Sequence, residues 1–216
     1  MGRGRFITLE GGEGAGKSTL ARALSQRLRE AGASVVTTRE PGGSAKAEAI
    51  REAILAGRIK EYGAFAEALM FSAARIDHID RLIRPALAQD NWVICDRFID
   101  STRVYQGVLG EIEAKLLAEL EQVTIDGLMP ELTLILDLDP EIGLARAAGR
   151  RSPGESVDRF ESETLAFHRR LREAYLEIAR QEPQRCAVLD AGLPPAALAD
   201  AAWAVLSERL TTRQGS

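Results

Sequence analysis

Residues Gly11-Gly12-Glu13-Gly14-Ala15-Gly16-Lys17-Ser18 satisfy the pattern G-x-x-x-x-G-K-[ST]. They stand directly between a β-rich run, Arg5 to Glu10, and a segment with helical apolar spacing, Lys17 to Ala31. Small residues let the backbone wrap an anion with successive N–H groups pointing inward, and the following helix adds the positive end of its dipole. Lys17 offers a point charge to the outer phosphates, and the Ser18 hydroxyl offers a ligand for magnesium. A strand, a phosphate cradle from Gly11 to Thr19 and a helix are therefore predicted, and they set the frame for the rest of the chain.

Working outward, four more short β-rich runs follow: Ser34 to Thr38, Trp92 to Asp96, Leu132 to Leu138 and Cys186 to Asp190. Helical spacing fills the intervals at Ala45 to Ala56, Phe65 to Gln89, Glu111 to Val123, Pro140 to Gly149, Val157 to Gln181 and Pro195 to Leu210. Strands alternating with helices predict an α/β fold, a five-stranded parallel sheet covered on both faces. Ligands of such sheets bind beyond the carboxyl ends of the strands, so Glu10, Arg39, Asp96 and Asp139, which close these runs, are where chemistry is expected. Arg150 to Ser156 is the most loop-like internal segment and reads as a flap; Thr211 to Ser216 reads as a frayed tail.

The 216 residues, 45% hydrophobic and 28% charged, suffice for one domain with a sizeable core. A net charge of −4 argues against a strongly basic nucleic-acid surface. Of the 28 basic residues only four are Lys, at positions 17, 46, 60 and 115, so a lysine on the motif position is informative. No apolar stretch approaches the roughly 20 residues of a bilayer span, and the N-terminus lacks a secretory pattern. Cys95 and Cys186 lie in apolar segments without a Cys-x-x-Cys pair, which suggests two buried thiols in a reduced, cytoplasmic protein. None of the four lysines follows an Asn, which argues against the guanine-reading Asn-Lys-x-Asp motif of switch GTPases.

Several constellations remain open on their residues alone. Phe71 and Arg75, four apart, share a helix face; an aromatic ring beside a guanidinium suits a flat heterocycle but also ordinary packing. Asp96-Arg97 closes a buried strand, either as a structural salt bridge or as a pair awaiting a ligand or metal. Asp137-Leu138-Asp139-Pro140 resembles an acidic metal box, although Asp139 suits a cap for the helix that Pro140 begins. His78 and His168 have no second ligand at metal spacing and are expected to be surface or satisfied histidines.

Together with Thr38-Arg39-Glu40-Pro41-Gly42-Gly43, Phe71-x-x-x-Arg75, Asp96-Arg97-Phe98 and Asp158-Arg159-Phe160-Glu161, the cradle resembles the bacterial type of thymidylate kinase, from about Phe6 to Leu210. That resemblance implies a three-layer P-loop kinase fold over residues 1–210, with a short mobile lid at about 146–160. It implies ATP with Mg2+ as the phosphoryl donor, dTMP as acceptor, dTDP as product and a homodimer. Phe71 is then the ring that stacks on thymine and Arg75 the group that reaches a base carbonyl. Thr102 and Gln106 read the base edge beside Ser101, and Tyr105 crowds the sugar 2′ position. Arg97 holds the acceptor phosphate, Glu13 reaches the 3′-hydroxyl, and Asp96 lies near magnesium with Ser18. Arg51 is a candidate second phosphate contact, although its spacing equally suits an exposed helix face.

Phosphoryl transfer needs positive charge on both sides of the moving group, and the cradle carries only Lys17. The resemblance implies that lid arginines supply the rest, from Arg146, Arg150, Arg151 and Arg159, and which of them reaches the transferring phosphate stays open. The alternatives are a kinase for another nucleoside or nucleoside monophosphate, or a regulatory module that binds nucleotide and transfers nothing.

Overall fold

Five parallel strands form the sheet: β1 (Phe6–Gly11), β2 (Val35–Arg39), β3 (Trp92–Asp96), β4 (Leu132–Asp137) and β5 (Cys186–Asp190). The computed structural model describes residues 4–150 and 159–211. Strand order is β2-β3-β1-β4-β5, with β1 in the middle and buried along its whole length. The register pairs Leu9 with Asp96, Gly11 with Leu136 and Asp137 with Asp190, so the ends of β1, β3, β4 and β5 share one edge of the sheet.

Nine α-helices cover the sheet among the described residues: α1 (Lys17–Glu30), α2 (Ala45–Leu55), α3 (Gly63–His78), α4 (Arg84–Ala88), α5 (Ile99–Thr102), α6 (Ala114–Ile125), α7 (Pro140–Arg150), α8 (Leu165–Gln181) and α9 (Pro195–Leu206). Leu20, Leu24 and Leu28 of α1 meet Leu198, Ala202 and Leu206 of α9 on Ile7, Leu9, Leu132 and Leu134. The opposite face is filled by Phe6, Ile79, Ile83, Val93 and Phe98 on one side, and by Ile135, Leu171, Ala174 and Tyr175 on the other. These three layers are those the alternating pattern predicts.

The helices differ from expectation most in three places, besides a π-helical turn, Ser207–Thr211, that ends the helix expected over Pro195 to Leu210. The single helix expected over Phe65 to Gln89 is α3, a π-helical turn at Ile79–Ile83 and α4. Pro85 explains the break, because it has no N–H for an interior helical bond and its ring crowds the preceding turn. The helix expected from Val157 begins at Leu165, where the Thr164 hydroxyl accepts from the Phe167 N–H at 3.2 Å. An unexpected helix, α5 continued by a π-helical segment Arg103–Val108, carries Ser101, Thr102, Tyr105 and Gln106. No helix among the described residues is long and apolar enough to cross a membrane. Both cysteines are buried and free.

Candidate active site

The loop after β1 turns on glycines, and at Gly14 no side chain fits. Gly14 adopts φ +68°, and a Cβ there would lie 1.9 Å from the carbonyl oxygen of Gly143. Gly143 in turn leaves no room for a Cβ, which would meet the Glu13 carbonyl at 2.3 Å, so α7 packs directly on the cradle. Sequence reasoning passed over Gly143; a glycine inside a helical run was the available signal. The Lys17 ammonium donates to the carbonyls of Gly11 (3.0 Å) and Gly12 (2.9 Å). Burial and the Arg97 charge lower the Lys17 pKa, against the opposing pull of Glu13 and Asp96.

Beside the cradle, the Ser18 hydroxyl donates to Asp96 Oδ2 at 2.8 Å. Asp96 and Arg97 are not paired with each other in the hydrogen-bonded sense left open above: Arg97, with φ 69°, turns its guanidinium to Glu13 at 2.5 Å. Burial alone would raise the Glu13 carboxyl, but Arg97, Lys17 and His168 override it and hold the pKa down at about 2. Arg97 Nη1 also lies 3.4 Å from Ser101 Oγ and 3.3 Å from the Tyr175 hydroxyl, and its plane sits 5.3 Å from the Tyr105 ring centre. Beneath this cluster Glu10 is fully buried and accepts from the Phe98 N–H (2.8 Å), Ser101 Oγ (2.7 Å) and the Tyr175 hydroxyl (3.0 Å). Burial, then the nearby Asp100 charge, raises its pKa to about 7 despite Arg97.

A narrow pocket of about 80 Å³ opens next to Arg97, lined by Phe71, Arg75, Thr102, Tyr105, Gln106 and Phe160 among others. Arg75 is only 2% exposed; its Nε donates to Glu40 Oε2 at 2.6 Å and its Nη2 to the Phe98 carbonyl at 3.1 Å. Its Nη1 has no hydrogen-bond partner among the described residues, nor has the buried hydroxyl of Thr102. Buried polar atoms are ordinarily paired, so two orphaned ones in one pocket point to a ligand that completes them. Arg51, also at this pocket, donates to the Pro41 carbonyl at 2.9 Å. Glu40, which orients Arg75 and also receives His78 Nδ1 at 3.0 Å, was quoted in its motif without a role; no local spacing links residues 40 and 75.

The arginines expected near the flap separate. Arg146 donates to the Ala191 carbonyl at 3.0 Å and, with exposed Arg150, borders a wide cleft of about 490 Å³ that runs from Gly14, Gly16 and Thr19 to Leu193, Pro195 and Leu198. Arg159 is on the other side, ion-paired with the buried Glu67 of α3 and lying 4.6 Å from the ring centre of Phe160, which meets Tyr105 edge-on at 5.0 Å. Arg151 and Asp158 lie outside the described residues. Asp139 caps α7, accepting from the Glu141 N–H at 2.9 Å, while Asp137 is held by Arg172 at 2.6 and 2.8 Å. Among the described residues no three His, Cys, Asp or Glu side chains cluster at metal-binding distance. His78 is satisfied by Thr38 (2.8 Å) and Glu40, as expected, but His168 is buried with its Nε2 unpartnered among the described residues, neither surface nor satisfied.

A family model described as thymidylate kinase matches residues 9–201. A curated thymidylate kinase of Rhodopseudomonas palustris (strain TIE-1) is 59% identical over 209 residues, 96% of this chain and 90% of that one. One from Nitrobacter hamburgensis (strain DSM 10229) is 53% identical over 214 residues, covering 99% and 93%. The crystal structure of thymidylate kinase from Ehrlichia chaffeensis superposes with a TM-score of 0.76 at 31% identity, covering 95% of this chain and all of that one.

Proposed function

This chain belongs to the thymidylate kinase family, and from that premise we infer that it transfers the γ-phosphoryl group of ATP to dTMP, giving dTDP and ADP. The observation that carries the substrate is the narrow pocket beside Arg97: a half-buried ring, Phe71, lines it together with Arg75 and Thr102, whose Nη1 and hydroxyl are unpartnered among the described residues. That arrangement suits a flat base with carbonyls on its edge, stacked on Phe71 with Gln106 adding a further polar group and Tyr105 closing the sugar side. Arg97, with Arg51 behind Pro41, is suited to the acceptor phosphate, and Glu13, ionised at neutral pH, to accept from the sugar hydroxyl.

On the donor side the cleft between Gly14, Arg146 and Ala191 accommodates the adenine nucleotide, with its phosphates wrapped by Gly11 to Thr19. Lys17 needs only to exchange two backbone carbonyls for phosphate oxygens. Ser18 Oγ and Asp96 Oδ2, 2.8 Å apart, are hard oxygen donors at the cradle's mouth. They fit Mg2+, which takes one or two protein oxygens and completes its shell with phosphates and water. When bound it neutralises phosphate charge. Arg146, Arg150 and Arg151 are the proposed cations for the transferring group, while Arg159, engaged by Glu67, holds Phe160 over the acceptor pocket.

A homodimer and a cytoplasmic location belong to the same reading. Phe65, Leu69 and Ile76 on one face of α3 and Leu116 and Val123 on the neighbouring α6 are exposed apolar residues that suit a second copy, testable by sedimentation. The function is tested by ADP release from ATP and Mg2+ against thymidine, deoxyuridine, deoxycytidine, adenosine and guanosine monophosphates, free thymidine and no acceptor. Strong preference for dTMP is expected. Preference for another acceptor discards the pocket assignment, and ATP binding without transfer discards the enzyme.

A further inference from the structure

We propose that Glu10 is the positioning residue of the acceptor side: it sets the proton directions of Ser101 and Tyr175 and the turn at Phe98, and so fixes the guanidinium of Arg97 for an acceptor phosphate. This rests on the reading of Arg97 given above.

Glu10 is fully buried in the central strand, and its carboxylate is met by neutral donors: one backbone N–H and two hydroxyls. Oε1 takes the Phe98 N–H at 2.8 Å, which ties down the residue after Arg97 at the point where Arg97 adopts φ 69°. A non-glycine residue in that region is held there by its surroundings rather than by its own preference. Oε2 takes Ser101 Oγ at 2.7 Å and the Tyr175 hydroxyl at 3.0 Å, and those two oxygens are themselves 2.9 Å apart.

Proton counting then decides the direction of the network. Above pH 7, where Glu10 is ionised, its carboxylate only accepts, and each hydroxyl has one proton to give. With both protons committed to Glu10, Ser101 and Tyr175 turn lone pairs toward Arg97 Nη1, which lies 3.4 and 3.3 Å away and only donates. Glu13 takes the other arm, Nη2, at 2.5 Å. Arg97 is thus oriented by one direct carboxylate and one acting through two hydroxyls. An amide at position 10 breaks this whichever way it lies. Its NH2 group either faces the Phe98 N–H, donor against donor, or donates to the hydroxyls and frees their protons to point at Arg97.

The experiment is calorimetric titration at about pH 8, where Glu10 is ionised, of Glu10→Gln, Tyr175→Phe and Arg97→Ala with dTMP and with thymidine, which lacks the phosphate. The expected result for Glu10→Gln is dTMP affinity reduced about tenfold or more with thymidine affinity within about twofold of wild type. Tyr175→Phe, which deletes one hydroxyl of the network, is expected to lose dTMP affinity in the same direction by less, and it serves as the test where Glu10→Gln does not fold. In assays, the KM for dTMP rises while the KM for ATP stays. Equal loss of dTMP and thymidine, or wild-type dTMP binding in both variants, overturns the proposal. Arg97→Ala separates the premises. If it too leaves dTMP binding unchanged, the reading of Arg97 fails and the proposal with it; if Arg97→Ala weakens dTMP while the Glu10 and Tyr175 variants do not, only the positioning role fails.

Discussion

The two halves of the cleft are built from different material. The donor side is wide, about 490 Å³, and its cradle is mostly backbone: glycines and the N-terminus of α1. The acceptor pocket is narrow, about 80 Å³, and is made of side chains from the turn after β2, α2, α3, the turn after β3, α5 with its π-helical continuation and the segment before α8, with Glu13 reaching in from the cradle. A backbone site is insensitive to most side-chain changes and depends on a few glycines and one lysine. A side-chain site distributes its selectivity over many contacts, each of modest size. The division predicts that donor lesions lower kcat, whereas acceptor lesions raise the KM for dTMP and leave that for ATP alone.

Lys17→Ala is the largest lesion the comparison predicts. The cradle keeps its glycines and its shape, so the melting temperature and dTMP binding are retained, while kcat falls by about a hundredfold to a thousandfold. Turnover near wild type removes Lys17 from the donor machinery. Arg150→Ala comes next. Arg150 borders the donor cleft, so a loss of about tenfold or more in kcat with an unchanged KM for dTMP is expected. An equal loss in kcat and acceptor affinity makes it a docking group instead. Thr102→Val is nearly isosteric and deletes the orphaned hydroxyl of a residue that lines the acceptor pocket. The KM for dTMP is expected to rise by up to about tenfold with kcat and the KM for ATP little changed. A change in the ATP parameters breaks the separation between the two halves.

The same contrast explains what could be read from the sequence. The cradle was legible because its chemistry is local: eight consecutive residues carry it between a strand and a helix. Strands β3 and β5 were legible to the residue, since short apolar runs closed by acids leave few alternatives. The segment Ile99 to Val108 was not recognised as helical, because Thr102 and Gln106 turn inward to the pocket and spoil the apolar period that marks a helix. In the acceptor pocket the family resemblance supplied the residues, but not their partners. Arg75 is oriented by Glu40 and Arg159 by Glu67, pairs separated by long stretches of chain. The four flap arginines looked equivalent by composition; only their carboxylate and carbonyl partners divide Arg146 from Arg159.

Glu10 and Glu13 sharpen the comparison at its smallest scale, through proton linkage. Glu13 has its folded pKa depressed from the usual 4.5 to about 2, so its stabilising contribution is complete above 4.5 and fades only as pH falls toward 2. Glu10 has the opposite sign: raised from 4.5 to about 7, it contributes most below 4.5 and loses that contribution as pH rises through 7. Between pH 5 and pH 8 Glu13 is ionised throughout, and of this pair only Glu10 changes protonation differently in the folded and unfolded chains. Unliganded wild-type protein is therefore expected to lose stability relative to Glu10→Gln as pH rises over that range, whatever the constant difference between them. Denaturant midpoints at several pH values measure this directly, and parallel curves for the two proteins contradict it. Glu13→Gln is expected to run parallel to wild type from pH 5 to 8 and to diverge only in acid, because its carboxylate is already paired with Arg97 across the neutral range.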